Sequence, residues 1–99
     1  MKISISSLHF KTDKKLDDFI TEKVEKLGTF YEGIITAEVT LKLDKKEDAE
    51  NKTVDLRLVI KGNDLFAKKE SSTFEEAIDD VVEALRKQLI KHKEKLKGI

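Results

Sequence analysis

The residues best suited to chemistry in this sequence are the basic side chains concentrated near its C-terminal end. Between residues 84 and 99 the chain has six basic residues and one acidic residue, whereas the whole chain carries 20 of each sign. Ammonium and guanidinium groups concentrated in this way suit a polyanion such as RNA, because each phosphate contact releases a counterion. The candidate RNA-binding residues are Arg86, Lys87, Lys91, Lys93, Lys95 and Lys97.

A simpler interpretation of the same residues is complementarity with a helix dipole. Basic residues favour a helix C-terminus and acidic residues an N-terminus, each by about 0.3–1 kcal/mol. The order agrees, because acidic residues such as Glu75 and Glu76 precede the basic ones. The dipole effect fades within about one turn and does not require so many basic residues. RNA binding and a merely solvated helix end therefore both remain open on composition alone.

Nothing in the sequence predicts catalysis. The chain has no cysteine, and His9 has no histidine or cysteine nearby with which to share a metal. His92 falls on the apolar side of a helical pattern, which favours a packing role. Carboxylates that are adjacent in sequence, such as Asp79 and Asp80, point about 100° apart on a helix and do not face each other. We therefore expect a protein that is not an enzyme and has no metal, cofactor or small-molecule substrate.

The elements that position these residues follow from hydrophobic periodicity. Alternation of apolar and polar residues predicts strands, and apolar spacings of three and four predict helices. The turn signal Gly62-Asn63 predicts a hairpin, and the polar run at residues 44–52 predicts a mobile loop. The predicted strands lie at residues 2–6, 35–43, 54–60 and 65–70, and the predicted helices at residues 13–31 and 73–96.

The order β-α-β-β-β-α predicts an α+β fold, with a four-stranded sheet and two helices packed on one face. Thr12 or Asp13 is expected to cap the first helix, and Thr73 with Glu76 fits a capping box for the second. Leu96 is placed on the apolar stripe of the second helix. The open sheet face is expected to be mixed in charge and to lack an aromatic platform for single-stranded RNA. We expect residues 1–99 to form one domain.

The sequence also favours a cytoplasmic protein with no membrane partner. The first residues lack the apolar segment of about 7–15 residues that a signal peptide needs. No apolar run approaches the roughly 20 residues that cross a bilayer.

Three segments carry a resemblance to a known family. They read GNDLFA at residues 62–67, TFEEAID at residues 73–79 and KQLIKHKEKLK at residues 87–97, and the first helix is similar as well. The chain resembles the ribosome hibernation promoting factors, a family that includes the ribosome-associated inhibitor and has the older label sigma-54 modulation protein. The likeness covers nearly the whole chain except the loop at residues 44–52.

The resemblance implies a fold related to double-stranded RNA-binding domains and a role in translation regulation during stress and stationary phase. It implies binding to the small ribosomal subunit and its ribosomal RNA, where tRNA and mRNA would lie, by a protein that is monomeric when free. It also implies rRNA contacts by Lys87, Lys91, Lys93, Lys95 and Lys97, with Arg86 added although relatives vary there. One departure is Ala84, where relatives often carry a lysine.

Two alternatives remain open at this level. One is a general double-stranded RNA binder with the same fold and no preference for ribosomes. The other is a protein-interaction module whose basic helix end meets an acidic partner protein.

Overall fold

The computed structural model describes residues 1–44 and 51–96 and has the predicted order of elements. The predicted loop lies mostly on residues 45–50, outside the described residues, and its last residue, Lys52, belongs to a strand. The α+β prediction is confirmed. The elements are β1 (Lys2–Leu8), α1 (Lys14–Phe30), β2 (Ile34–Leu43), β3 (Lys52–Ile60), β4 (Asn63–Ser71) and α2 (Phe74–Leu96).

The strands form one sheet in the order β1-β2-β3-β4. β1 pairs parallel with β2, and the other two pairings are antiparallel. The parallel pair is joined through α1, since parallel neighbours need a long crossover, whereas the antiparallel pair β3–β4 needs only a short turn. Alternation along the strands then places one set of side chains under the helices and the other set in the open.

The β3–β4 turn differs by one residue from the prediction. Ile60 pairs with Asn63, so the two residues of the turn are Lys61 and Gly62, and Asn63 already belongs to β4. Gly62 has φ +78°, a conformation that glycine adopts without steric cost. Gly62 therefore suits the second position of the turn in the register that pairs Ile60 with Asn63.

Side-chain caps define where both helices begin. The Asp13 carboxylate accepts a hydrogen bond of 2.8 Å from the Leu16 N–H, which decides between the two predicted caps of α1. At α2 the Thr73 hydroxyl accepts a hydrogen bond of 3.1 Å from the Glu76 N–H. The Glu76 carboxylate accepts from the Ser71 hydroxyl at 2.9 Å. Of the two hydrogen bonds of the predicted capping box, the one from the Glu76 N–H to the Thr73 hydroxyl is therefore present.

Both helices pack on the same face of the sheet and share one apolar core with it. The last fully buried side chain of α2 is Leu89. The placement of Leu96 on the buried stripe was wrong, because its side chain is 66% exposed. The helix continues for nearly two turns past Leu89, so a position in line with the apolar stripe no longer brings burial there. No helix among the described residues is long and apolar enough to cross a membrane.

Candidate nucleic-acid interface

The helix α2 carries all the candidate residues that the structure describes. Its acidic residues Glu75 and Glu76 lie in the first turn, and Lys93 and Lys95 lie in the last turn. This order complements the helix dipole at both ends. Lys97, the remaining candidate, lies outside the described residues.

The candidate residues separate onto two flanks of α2. We call the side that contacts α1 the inner flank; it carries Asp79, Arg86 and Lys93, spaced seven residues apart. Seven residues are close to two helical turns, so these side chains lie nearly in line. We call the other side the open flank. Its basic residues, Lys87, Lys91 and Lys95, are spaced four residues apart and are exposed.

On the inner flank the basic groups meet Phe30 at the end of α1. The Lys93 ammonium lies 4.5 Å from the centre of the Phe30 ring and donates a hydrogen bond of 3.5 Å to the Phe30 carbonyl oxygen. The Arg86 guanidinium lies 5.8 Å from the same ring, and its Nε donates to the Glu83 carboxylate at 3.3 Å. Both distances to the ring fall within the range of cation–π attraction. Each cation therefore has a partner within the protein.

A second contact of the same kind lies farther toward the start of the helices. The Lys23 ammonium of α1 is 3.2 Å from the Asp79 carboxylate of α2 and 5.4 Å from the centre of the Phe19 ring. The inner flank thus contacts α1 at two places, at Phe30 and at Lys23, which is seven residues earlier.

The open flank is different in kind. Lys87, Lys91 and Lys95 form no ion pair or hydrogen bond with any residue in the described ranges 1–44 and 51–96. Residues four apart on a helix are separated by about 6 Å along its axis. The open flank therefore presents three ammonium groups at regular intervals, with their charge facing solvent.

Gln88 ties the open flank to the edge of the sheet. Its side-chain amide donates a hydrogen bond of 2.9 Å to the Phe66 carbonyl oxygen of β4. This contact joins residues 22 positions apart in the chain, so neither residue signals it locally. The hydrogen bond could not be predicted from the sequence for that reason.

The open sheet face is mixed in charge, as predicted, and the Arg57 guanidinium at its centre is paired with two carboxylates of the same face. Arg57 donates from Nε to Asp64 at 3.1 Å and from a terminal nitrogen to Glu38 at 3.3 Å. Hydrogen bonding and charge from Asp64, and then the charge of Glu38, raise the pKa of the Arg57 guanidinium above its ordinary value. One aromatic ring, Phe66, lies on this face and is 53% exposed, although no aromatic residue was predicted there. Arg57 lies directly opposite Phe66 on the neighbouring strand β3.

The two histidines occupy separate environments. His92 is half-buried and meets the Tyr31 ring edge to face at 5.5 Å between ring centres, which confirms the predicted packing role. His9 is exposed at the end of β1 with φ +74°. The described part of the chain has no group of three or more histidine, cysteine or carboxylate side chains placed to hold a metal ion.

Comparison with known proteins agrees with this architecture. The family model described as "Sigma 54 modulation protein / S30EA ribosomal protein" matches residues 3–97. The chain therefore belongs to that family, as the resemblance implied.

Similar proteins match over nearly their whole length. The chain is 32% identical over 97 residues to the ribosome hibernation promoting factor of Escherichia coli (strain K12), covering 98% of each chain. It is 29% identical to the ribosome hibernation promoting factor of Pseudomonas putida, covering 100% of this chain and 93% of the relative.

Solved structures share the fold. A ribosomal subunit interface protein from Coxiella burnetii superposes with a TM-score of 0.84 at 20% identity, covering 94% of this chain and 98% of that one. The N-terminal domain of Thermus thermophilus Protein Y superposes with a TM-score of 0.80 at 20% identity, covering 93% and 99%.

Proposed function

We propose that this protein is a ribosome hibernation factor. In this proposal residues 1–99 form one cytoplasmic ribosome-binding domain that occupies the channel for tRNA and mRNA on the small subunit. It inhibits translation by excluding those ligands and performs no reaction. The family membership and the names of the relatives, which match from end to end, support the proposal.

The open flank is the observation that carries the proposal. Its three lysines have no partner among the described residues, so no ion pair within that part of the chain has to break when they meet phosphates. Release of counterions from the RNA then supplies much of the affinity. The shared core beneath α2 holds the helix against the sheet, which lets the domain act as a rigid obstacle.

The test is co-sedimentation with purified small subunits over a series of salt concentrations. We expect the wild-type protein to bind and the variant Lys87→Gln, Lys91→Gln, Lys95→Gln to lose at least about a hundredfold in affinity. The slope of log affinity against log salt should fall by about 2–3, because three phosphate contacts are removed. A matched control changes Lys2, Lys26 and Lys61 to glutamine, which removes the same charge from exposed positions outside α2.

Three outcomes would contradict the proposal. Equal loss in the control variant would show that only net charge matters. Competition by a plain RNA duplex as effective as that by small subunits would favour a general double-stranded RNA binder. A partner that remains bound after nuclease treatment would favour the protein-interaction alternative. Occupation of the channel itself is tested by whether tRNA, added with mRNA, displaces the protein from the subunits.

A further inference from the structure

The last turns of α2 hold two of the three open-flank lysines but contain no buried side chain. Leu89 is fully buried, whereas every residue from Ile90 to Leu96 is half-buried or exposed. Helix ends without buried contacts open at low free-energy cost. Lys91 and Lys95 therefore sit on a segment that the apolar core does not hold.

Two contacts with the end of α1 reach this segment. His92 meets the Tyr31 ring, and Lys93 lies over the Phe30 ring while donating to the Phe30 carbonyl oxygen. That carbonyl belongs to the last residue of α1, whose own last turn has no basic residue. Lys93 thus supplies from α2 the positive charge that favours the C-terminus of α1. One side chain is attracted by both the ring and the helix end.

We propose that the contact between Phe30 and Lys93 is a clamp that fixes the last turns of α2 and thereby positions Lys91 and Lys95. Lys93 is then a positioning residue instead of a phosphate contact. What the two lysines bind rests on the proposed function, whereas the clamp is a property of the free protein. Lys87 lies between the buried residues Leu85 and Leu89 and does not depend on the clamp.

The clamp is tested first without ribosomes, by a double-mutant cycle of Phe30→Leu and Lys93→Gln. Leucine keeps an apolar side chain but removes the ring, and glutamine removes the charge. Each single change should lower the melting temperature by about 4–8 °C. The double variant should lower it by clearly less than the sum, because both changes remove the same contact. Lys93→Arg should restore most of the loss, since a guanidinium also binds an aromatic face.

Hydrogen exchange distinguishes a local clamp from general destabilisation. In Phe30→Leu and in Lys93→Gln the backbone amides of residues 90–96 should accelerate by a clearly larger factor than those of residues 78–89, whose exchange should change only as much as the global stability does. Additive melting temperatures, or acceleration spread evenly along α2, would overturn the clamp.

The positioning role is tested by binding of each folded variant to small subunits at several salt concentrations. Lys93→Gln should weaken binding by about threefold to tenfold without changing the salt slope, because no phosphate contact is lost. The comparison variant Lys91→Gln should lower the slope by about 0.7–0.9. An equal fall in slope for Lys93→Gln would make Lys93 a phosphate contact, and unchanged affinity would remove its positioning role. If the wild-type protein itself fails to bind, the proposed function fails, while the cycle in the free protein still decides the clamp.

Discussion

The two flanks of α2 carry the same kinds of basic residue and use them differently. On the inner flank, Arg86 and Lys93 lie over an aromatic ring of α1, and Lys93 also donates to a backbone carbonyl. On the open flank, Lys87, Lys91 and Lys95 face solvent without a partner among the described residues. Position around the helix, and not charge, therefore separates cations that join the two helices from cations available to another molecule.

The spacing of the residues explains the division. Inner-flank residues recur every seven positions, which keeps them against one neighbouring helix for the length of the contact. Open-flank lysines recur every four positions, which keeps them on one side but turned away from α1. Two interleaved patterns within one basic segment thus place its cations in two different environments.

The largest effect should come from removing the support that both flanks share. Leu89→Ala deletes the last fully buried side chain of α2 and should lower the free energy of unfolding by about 2–5 kcal/mol. Urea denaturation measures the change. Ile90→Ala, at a half-buried position one residue away, is the control and should cost clearly less. An equal loss of stability at the two positions would mean that the burial of these side chains does not determine how much each contributes to stability.

Most of the fold could be predicted from the sequence because its signals are local. Alternation in β2 and β3 and the apolar stripe of α1 depend on neighbouring residues alone, and the structure follows them except at the start of β2. There the pairing with β3 shifts register, so that Ile34 is buried and Ile35, which the alternation places on the buried face, is 56% exposed. The errors lie where a non-local condition decides the outcome. The turn at Lys61-Gly62 depends on the register of β4 against β3, and the exposure of Leu96 depends on where burial of α2 ends.

The location of the candidate site on the last helix could be predicted, but the separation of its basic residues into two flanks could not. The charge count placed it on the last helix, but no local pattern distinguishes Lys93 from Lys91. The difference depends on Phe30, 63 positions earlier in the chain. Contacts across such a separation are set by the packing of α1 against α2. For the same reason the sequence gives no sign of the hydrogen bond from Gln88 to β4.

A smaller effect is expected at the attachment of the open flank to the sheet. Gln88→Ala removes the hydrogen bond to the Phe66 carbonyl oxygen and should lower the free energy of unfolding by about 0.5–1.5 kcal/mol. Urea denaturation again measures it, with Gln88→Glu as a second variant that keeps the length, lacks the amide donor and should lose stability as well. If alanine has no effect, water replaces the amide at no cost, and the open flank is held from the inner side alone.

The smallest change in stability should come from the open-flank lysines themselves. Lys95→Gln should alter the free energy of unfolding by no more than about 0.5 kcal/mol, because an exposed side chain without a partner in the ranges 1–44 and 51–96 contributes little beyond its favourable position near the helix C-terminus. Its salt slope for binding small subunits should nevertheless fall by about 0.7–0.9. Lys26→Gln, at an exposed position on α1, is the control and should change neither quantity. A loss of stability above about 1 kcal/mol at Lys95 would show that this lysine makes a contact within the protein, and the distinction between the flanks would not hold at the end of the helix.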